Sequence, residues 1–204
     1  MPVSNETLFQ ELLRLHARMD PLDQVLEPIS DAIRAAGDRA DRVDADDPWG
    51  DAVIDDECDL VENLLGAAFI ACQTFIAAVV SAAMRLHKHK VKEGSPVSAD
   101  LAKKATLLRL GTPIDGRGVT DVELLDALAN YYKHRSEWRL SDWAHPSGRK
   151  AATIAVIKRA GLDAGSTGNL RVGADVLGNP AYADLQVFHE QLRAWASHVL
   201  KAAA

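Results

Sequence analysis

The sequence predicts an all-α protein, a helical bundle of five to seven helices with one long central helix. Three observations carry this. Nearly every segment with a readable hydrophobic period repeats at three and four residues. One run, residues 56–90, keeps that pattern throughout and is apolar almost all round from Leu64 to Met84. No stretch of any length alternates apolar and polar residues as a half-buried strand does. With 204 residues, 48% of them hydrophobic, the chain holds enough apolar material for one core and reads as a single domain over 1–204.

The elements follow in order. Residues 4–19 place Leu8, Leu12, Leu15 and Met19 on one face, with Ser4 or Asn5 as N-cap. Asp20-Pro21 restarts a helix, the Asp as cap and the Pro in the first turn, and Pro28 is expected to kink or interrupt it before Gly37. Residues 38–55 read as an acidic linker, since ten carboxylates between positions 38 and 59 face only Arg39 and Arg42. Their spacing is not that of a calcium loop.

The central helix comes next. Its start is acidic (Asp55, Asp56, Glu57, Asp59) and its end basic (Arg85, Lys88, Lys90, Lys92), which complements the helix dipole. Its length also suits a membrane span, but its wealth of alanine and the polar Gln73 and Thr74 at its middle favour a helix buried by neighbours, with no membrane. Cys58 and Cys72 lie on it about 21 Å apart and cannot pair, so they are expected to be buried thiols. Beyond a turn at 93–97, Ser98 or Asp100 caps a helix to Leu110 that stops at Gly111.

Thr120 and Glu123 have the spacing of a capping box opening residues 120–138. The run 145–148 (HPSG) breaks the chain, 150–160 is helical, and 161–179 reads as a glycine-rich loop region. Asn179-Pro180 then opens a last helix to about Lys201, with Leu185, Phe188, Leu192, Trp195 and Val199 on one stripe.

The net charge of −6 conceals a division. Residues 1–84 carry 5 basic and 17 acidic side chains, against 18 and 12 in residues 85–204. Such halves neutralise one another within a chain or between chains, or the basic half meets a polyanion. The N-terminus has polar and acidic residues where a secretory signal has a basic start and an apolar run, so the expected location is cytoplasmic.

The chemistry concentrates in residues 120–138. On a helical wheel Leu124, Leu125, Leu128, Tyr131 and Tyr132 share the core face; Asp126, Asn130, Lys133 and Glu137 fall opposite, with His134 on the flank. Arg135, if the helix continues, points with the leucines and needs a buried carboxylate. An all-α chain whose later helix carries Asn130, His134 and the residues between them resembles the HEPN superfamily, helical bundles that include many prokaryotic endoribonucleases of toxin and antiviral defence systems. In that family an arginine, often followed by Asn, Asp or His, precedes a histidine with four to six residues between them. Asn130 and His134 match the polar residue and the histidine, and Ala129 stands where the arginine belongs.

The resemblance implies a metal-independent, cofactor-free ribonuclease, or a catalytically degenerate relative, acting as a homodimer with a composite site. Histidine would serve proton transfer around attack of a ribose 2′-hydroxyl on its adjacent phosphate, and arginine would hold the phosphate oxygens. The candidate set is Asn130, His134, Arg135, Arg139 and His145. Because Ala129 supplies no cation, Arg135, Arg139 or an arginine of a second protomer must reach His134 or His145. The Arg139/His145 and Arg193/His198 pairs also fit the bare spacing, and chance alone supplies about one such match. The alternative is a non-enzymatic helical interaction or oligomerisation module with a protein partner.

Three further patterns complete the inventory. His87 and His89, two apart on a helix, diverge by about 200° and read as a basic helix end rather than metal ligands. The run 165–173 (GSTGNLRVG) has the composition of a phosphate cradle with Arg171, but follows a helix instead of a strand and reads as an ordered loop. Residues 150–173 have a helix-turn-helix rhythm around Gly161, with Arg149, Lys150, Lys158, Arg159 and Arg171 near it, which predicts a basic DNA-binding surface.

Overall fold

In a computed structural model, which describes residues 4–17, 19–44, 46–148, 150–163, 168–180 and 182–204, everything is arranged about one helix. The elements are α1 (Asn5–Ala17), α2 (Asp20–Ala40), α3 (Gly50–Lys92), α4 (Lys104–Leu108), α5 (Asp121–His134), α6 (Leu140–Ala144), α7 (Lys150–Arg159), α8 (Asn169–Val176) and α9 (Gln186–Ala203). Among the described residues there is no strand, only an isolated antiparallel bridge between Pro113 and Thr120. The fold is all-α with a long central helix. α3 contacts α1, α2, α5, α8 and α9, and α7 reaches the bundle through α5.

The apolar stripes fill the middle. Leu65, Phe69, Cys72, Ile76 and Leu86 of α3 are fully buried against Leu124, Leu125 and Leu128 of α5 and the expected Leu185, Phe188, Leu192, Trp195 and Val199 of the last helix. Phe69 and Phe188 stack with centroids 5.3 Å apart, and the buried Trp195 Nε1–H donates to the Leu107 carbonyl at 2.7 Å. Close approach of α3 and α5 depends on Gly66, where a Cβ would lie 2.3 Å from the Tyr132 ring. Burial pushes the Cys72 thiol up to about 12, whereas Cys58 is only half-buried.

Local signals hold where they are self-contained. Ser4 caps α1, its Oγ accepting from Thr7 N–H at 3.1 Å. The Thr120–Glu123 capping box forms in both directions, and the Thr120 hydroxyl also donates to the Leu108 carbonyl at 2.8 Å.

Several boundaries differ, each because tertiary contacts override a local preference. α2 runs through Pro28 and Gly37 to Ala40, because Leu26, Ser30, Ile33 and Ala36 bury one continuous face; Met19, not Asp20, is its N-cap. The linker shrinks to residues 41–49, since α3 already begins at Gly50 and welcomes Asp51 in its first turn. The helix expected from Ser98 to Leu110 splits at Lys103, whose backbone is extended (φ −141°, ψ 145°), leaving a 3-10 turn over Ala99–Ala102 before α4. An unbroken helix would set Leu101 and Leu107 about 240° apart, and the break lets both be fully buried.

The 161–179 region is not all loop. α8 lies within it, and its first turn is held by Glu62 of α3, which accepts from Leu170 N–H (3.3 Å), Arg171 N–H (3.0 Å) and Arg171 Nε (3.3 Å). Gly173 is needed because a Cβ there would lie 2.7 Å from Leu128. The last helix starts at Gln186 and not at Asn179, because Tyr182 takes φ 56° and Leu185 N–H turns aside to Ser30 Oγ.

Candidate functional site

α5 ends at His134, and the chain leaves it through a 3-10 turn over Arg135–Glu137. It then passes Trp138, α6 and the 145–148 break before entering α7. That return path encloses a cleft of about 590 Å³ lined by Asn130, His134, Glu137, Trp138, Ser147, Gly148, Lys150 and Thr153. Asn130 and His134, one turn apart on α5, therefore face the same space as the first turn of α7.

The wall behind them is aromatic. Tyr131, Trp138 and Trp143 meet edge to face, with centroids 5.7, 6.0 and 5.9 Å apart, an arrangement that suits the ring quadrupoles. Tyr131 and Trp143 are buried, and the Tyr131 hydroxyl accepts from Asn169 Nδ2 at 3.2 Å. Trp138 is half-buried and presents its remaining surface to the cleft.

The polar rim divides into two ion pairs. His134 Nδ1 lies 3.3 Å from Glu137 Oε1, both exposed, so the pair orients the ring without locking it. Lys150 Nζ lies 2.6 Å from Asp142 Oδ1, and Asp142 Oδ2 accepts from Arg139 N–H at 3.0 Å. The Lys150 ammonium first, and then the Arg139 N–H, hold the Asp142 carboxyl below its ordinary range. With Ser147 and Thr153 hydroxyls alongside, the cleft offers a cation, an imidazole, a carboxamide and an indole to one ligand.

The five predicted site residues do not all meet. Asn130 and His134 share the cleft; Arg135, Arg139 and His145 do not line it. Arg135 does not point with the leucines at a buried carboxylate, because the α-helix stops before it. Its Nη2 donates to Asn63 Oδ1 at 3.0 Å and its guanidinium sits 4.9 Å over the Tyr132 ring, on the α3 side. Arg139 and His145 are exposed at the two ends of α6. Ala129 is fully buried, so no side chain from that position enters the cleft. Among the described residues the cation lining the cleft is Lys150, which the sequence pattern placed at a helix start and in the basic set of a DNA-binding surface.

The face expected to be solvated is also partly structural. Asp126 is 7% exposed, taking Lys104 Nζ at 2.8 Å and Gln73 Nε2 at 2.9 Å, and Lys133 Nζ donates to Gln73 Oε1. No family model, curated protein or solved structure matches the chain.

The other sequence patterns are absorbed by the fold. Arg171 is held by Glu62, and its Nη1 donates to Cys58 Sγ at 3.3 Å, so it is not offered to a phosphate. Burial alone would lower its pKa, but the neighbouring Cys58 and Glu62 outweigh that and raise it. Lys158 caps the Trp143 carbonyl and Arg159 donates to the Gly118 carbonyl, which removes two cations from the would-be DNA surface. Arg149 and residues 165–167 lie outside the described residues. His89 pairs with Asn5 Oδ1 at 2.9 Å and with Glu93, away from any second histidine ligand.

Proposed function

We propose that the cleft between α5 and α7 is where this chain, a HEPN-like helical protein, engages RNA, and that His134 is the proton-transfer group of a metal-independent cleavage there. The observation that carries the reading is that Asn130 and His134 line one cleft with Lys150, the cation that takes the part of the arginine absent at Ala129. In this reaction the ribose 2′-oxygen bonds to the adjacent phosphorus as the bond to the 5′-oxygen breaks. The 2′-proton leaves and the 5′-oxygen gains one, and an imidazole, which can both accept and donate a proton, suits both transfers. Lys150 meets the phosphate in competition with Asp142, Asn130 and the hydroxyls of Ser147 and Thr153 orient it, and Trp138 offers a face for a base to stack on.

A second reading, a catalytically degenerate relative that binds without cutting, is favoured by the placement of Arg135 and Arg139 off the cleft. One experiment separates the two. A labelled mixed RNA pool is incubated in EDTA with the wild type, His134→Ala and Lys150→Ala, and both cleavage and filter binding are read. Cleavage lost in His134→Ala with binding retained supports the nuclease. Binding that depends on Lys150 without cleavage supports the degenerate relative. RNA neither bound nor cut refutes the assignment of the cleft.

A further inference from the structure

α3 is covered on one side only. It is long and apolar enough to cross a bilayer by length and composition, yet 44% of its most apolar 18-residue window is buried in the bundle. The uncovered side carries Leu60, Ala67, Thr74, Ser81 and Lys88 at intervals of seven, with Ala77 and Met84 beside them, all exposed. That is the spacing of a helix-pairing seam, and its small residues allow close approach of a second backbone.

The charges on this helix say what the partner is. Asp55, Asp56 and Asp59 at one end, and Lys88 and Lys92 at the other, make no ion pair among the described residues. Asp56 and Lys88 are about 48 Å apart along the helix, so they never meet within one chain. They do meet if a second copy of the helix lies antiparallel to the first.

We infer that the protein forms a two-fold homodimer through antiparallel pairing of α3 with α3, centred on Thr74. The positions at seven-residue intervals, Leu60, Ala67, Thr74, Ser81 and Lys88, are symmetric about that residue. Leu60 then faces Lys88 of the second copy, Ala67 faces Ser81, Thr74 meets itself, and Asp56 faces Lys92, the self-complementary pattern an isologous interface requires. Thr74 suits the axis because its hydroxyl is already satisfied by the Ile70 carbonyl at 3.0 Å. A groove of about 530 Å³ along the basic half, lined by Ala77, Val80, Ser81, Met84, Arg85, Lys88 and Lys104, receives Leu60 and Ala67 of the other chain.

The test is sedimentation combined with cross-linking. The wild-type chain is expected at twice its 22.1 kDa mass, and Ala77→Glu, an exposed position, at the single mass with an unchanged helical spectrum and melting temperature. Lys88→Glu with Lys92→Glu weakens the dimer, and adding Asp56→Lys with Asp59→Lys restores it. In a Cys58→Ser background, Leu60→Cys and Lys88→Cys chains cross-link when mixed, and neither does so alone. A dimer that survives Ala77→Glu, or Leu60→Cys cross-linking to itself, overturns the antiparallel seam. So does a chain monomeric at every concentration, and one that also pellets with phosphatidylcholine–phosphatidylglycerol vesicles assigns the face to a bilayer instead.

Discussion

Glu62→Ala removes the side chain that holds the first turn of α8. Glu62 is 3% exposed and serves three donors at once, the Leu170 and Arg171 backbone N–H groups and the Arg171 guanidinium. Truncation strands the first turn of α8 and leaves a half-buried arginine beside a cavity. Removing one partner of a buried pair costs roughly 3–5 kcal/mol. Two of the three contacts are long, and the Arg171 side chain is 29% exposed and can turn to water, which places the expected loss at the lower end, about 3 kcal/mol. For a chain of this size that lowers the melting temperature by about 6–12 °C. Glu62→Gln keeps an acceptor for one N–H and is expected to lose about half as much. Urea unfolding followed by circular dichroism, with hydrogen exchange over 169–176, is the assay. A Glu62→Ala loss under about 1 kcal/mol, or unchanged exchange in α8, refutes the idea that this carboxylate organises the helix.

Three further outcomes follow from the same contacts. Gly66→Ala places a Cβ against the Tyr132 ring, and despite its better helix propensity it is expected to destabilise by about 1–3 kcal/mol, read by thermal melting. Thr120→Ala loses both the α5 cap and the hydrogen bond to Leu108, costing about 1–2 kcal/mol, with Thr120→Ser recovering most of it. Burial raises the Asp121 carboxyl above its ordinary value despite the Val122 and Thr112 N–H donors, and its Oδ2 has no partner among the described residues. The native state thus holds that proton more tightly than the unfolded chain, so the contribution is fully present below the ordinary carboxylate range and is lost as pH rises through the folded value. Asp121→Asn is therefore expected to stabilise by about 1–3 kcal/mol at neutral pH, a gain that vanishes in acid; equal effects at both pH values would contradict it.

What the sequence made legible was whatever a few adjacent residues decide. The Thr120–Glu123 box, the α9 stripe and the apolar run of α3 depend on spacing alone, and all three are present. α8 was not legible because its eight residues become a helix through Glu62, more than a hundred positions earlier, and through the fit of Gly173 under Leu128. The cleft divides in the same way. Asn130 and His134 are one helical turn apart and can be paired by eye, whereas Lys150 and Thr153 join them only because α6 and the 145–148 break reverse the chain. Arg135 lies off the cleft for a local reason, since the helix ends at His134 and turns it toward Asn63.

The division of charge along the chain is not resolved inside it, which gives the length of α3 a meaning. Ion pairs joining the first 84 residues to the rest are few: Glu11 with Arg85, Glu62 with Arg171, and Asp23 with His189 at 3.5 Å. The basic half otherwise turns inward, Lys104 to Asp126, Arg109 to Glu123 and Lys150 to Asp142. Among the described residues, Glu57 is the only one of the ten carboxylates between 38 and 59 to make an ion pair, with Arg39. Most of the acidic charge between 38 and 59 thus has no ion-pair partner among the described residues. A helix of 43 residues spans about 64 Å, against about 27 Å for the 18 residues of α9, and its acidic first turns run out exposed while its basic end lies against α1 and α9. Residues 51–56 and 59–60 are exposed, with Val53, Ile54 and Leu60 among them. Exposed apolar side chains beside solvated carboxylates on an overhanging helix suit an interface. The overhang of one α3 is the length by which it reaches the basic end of the other.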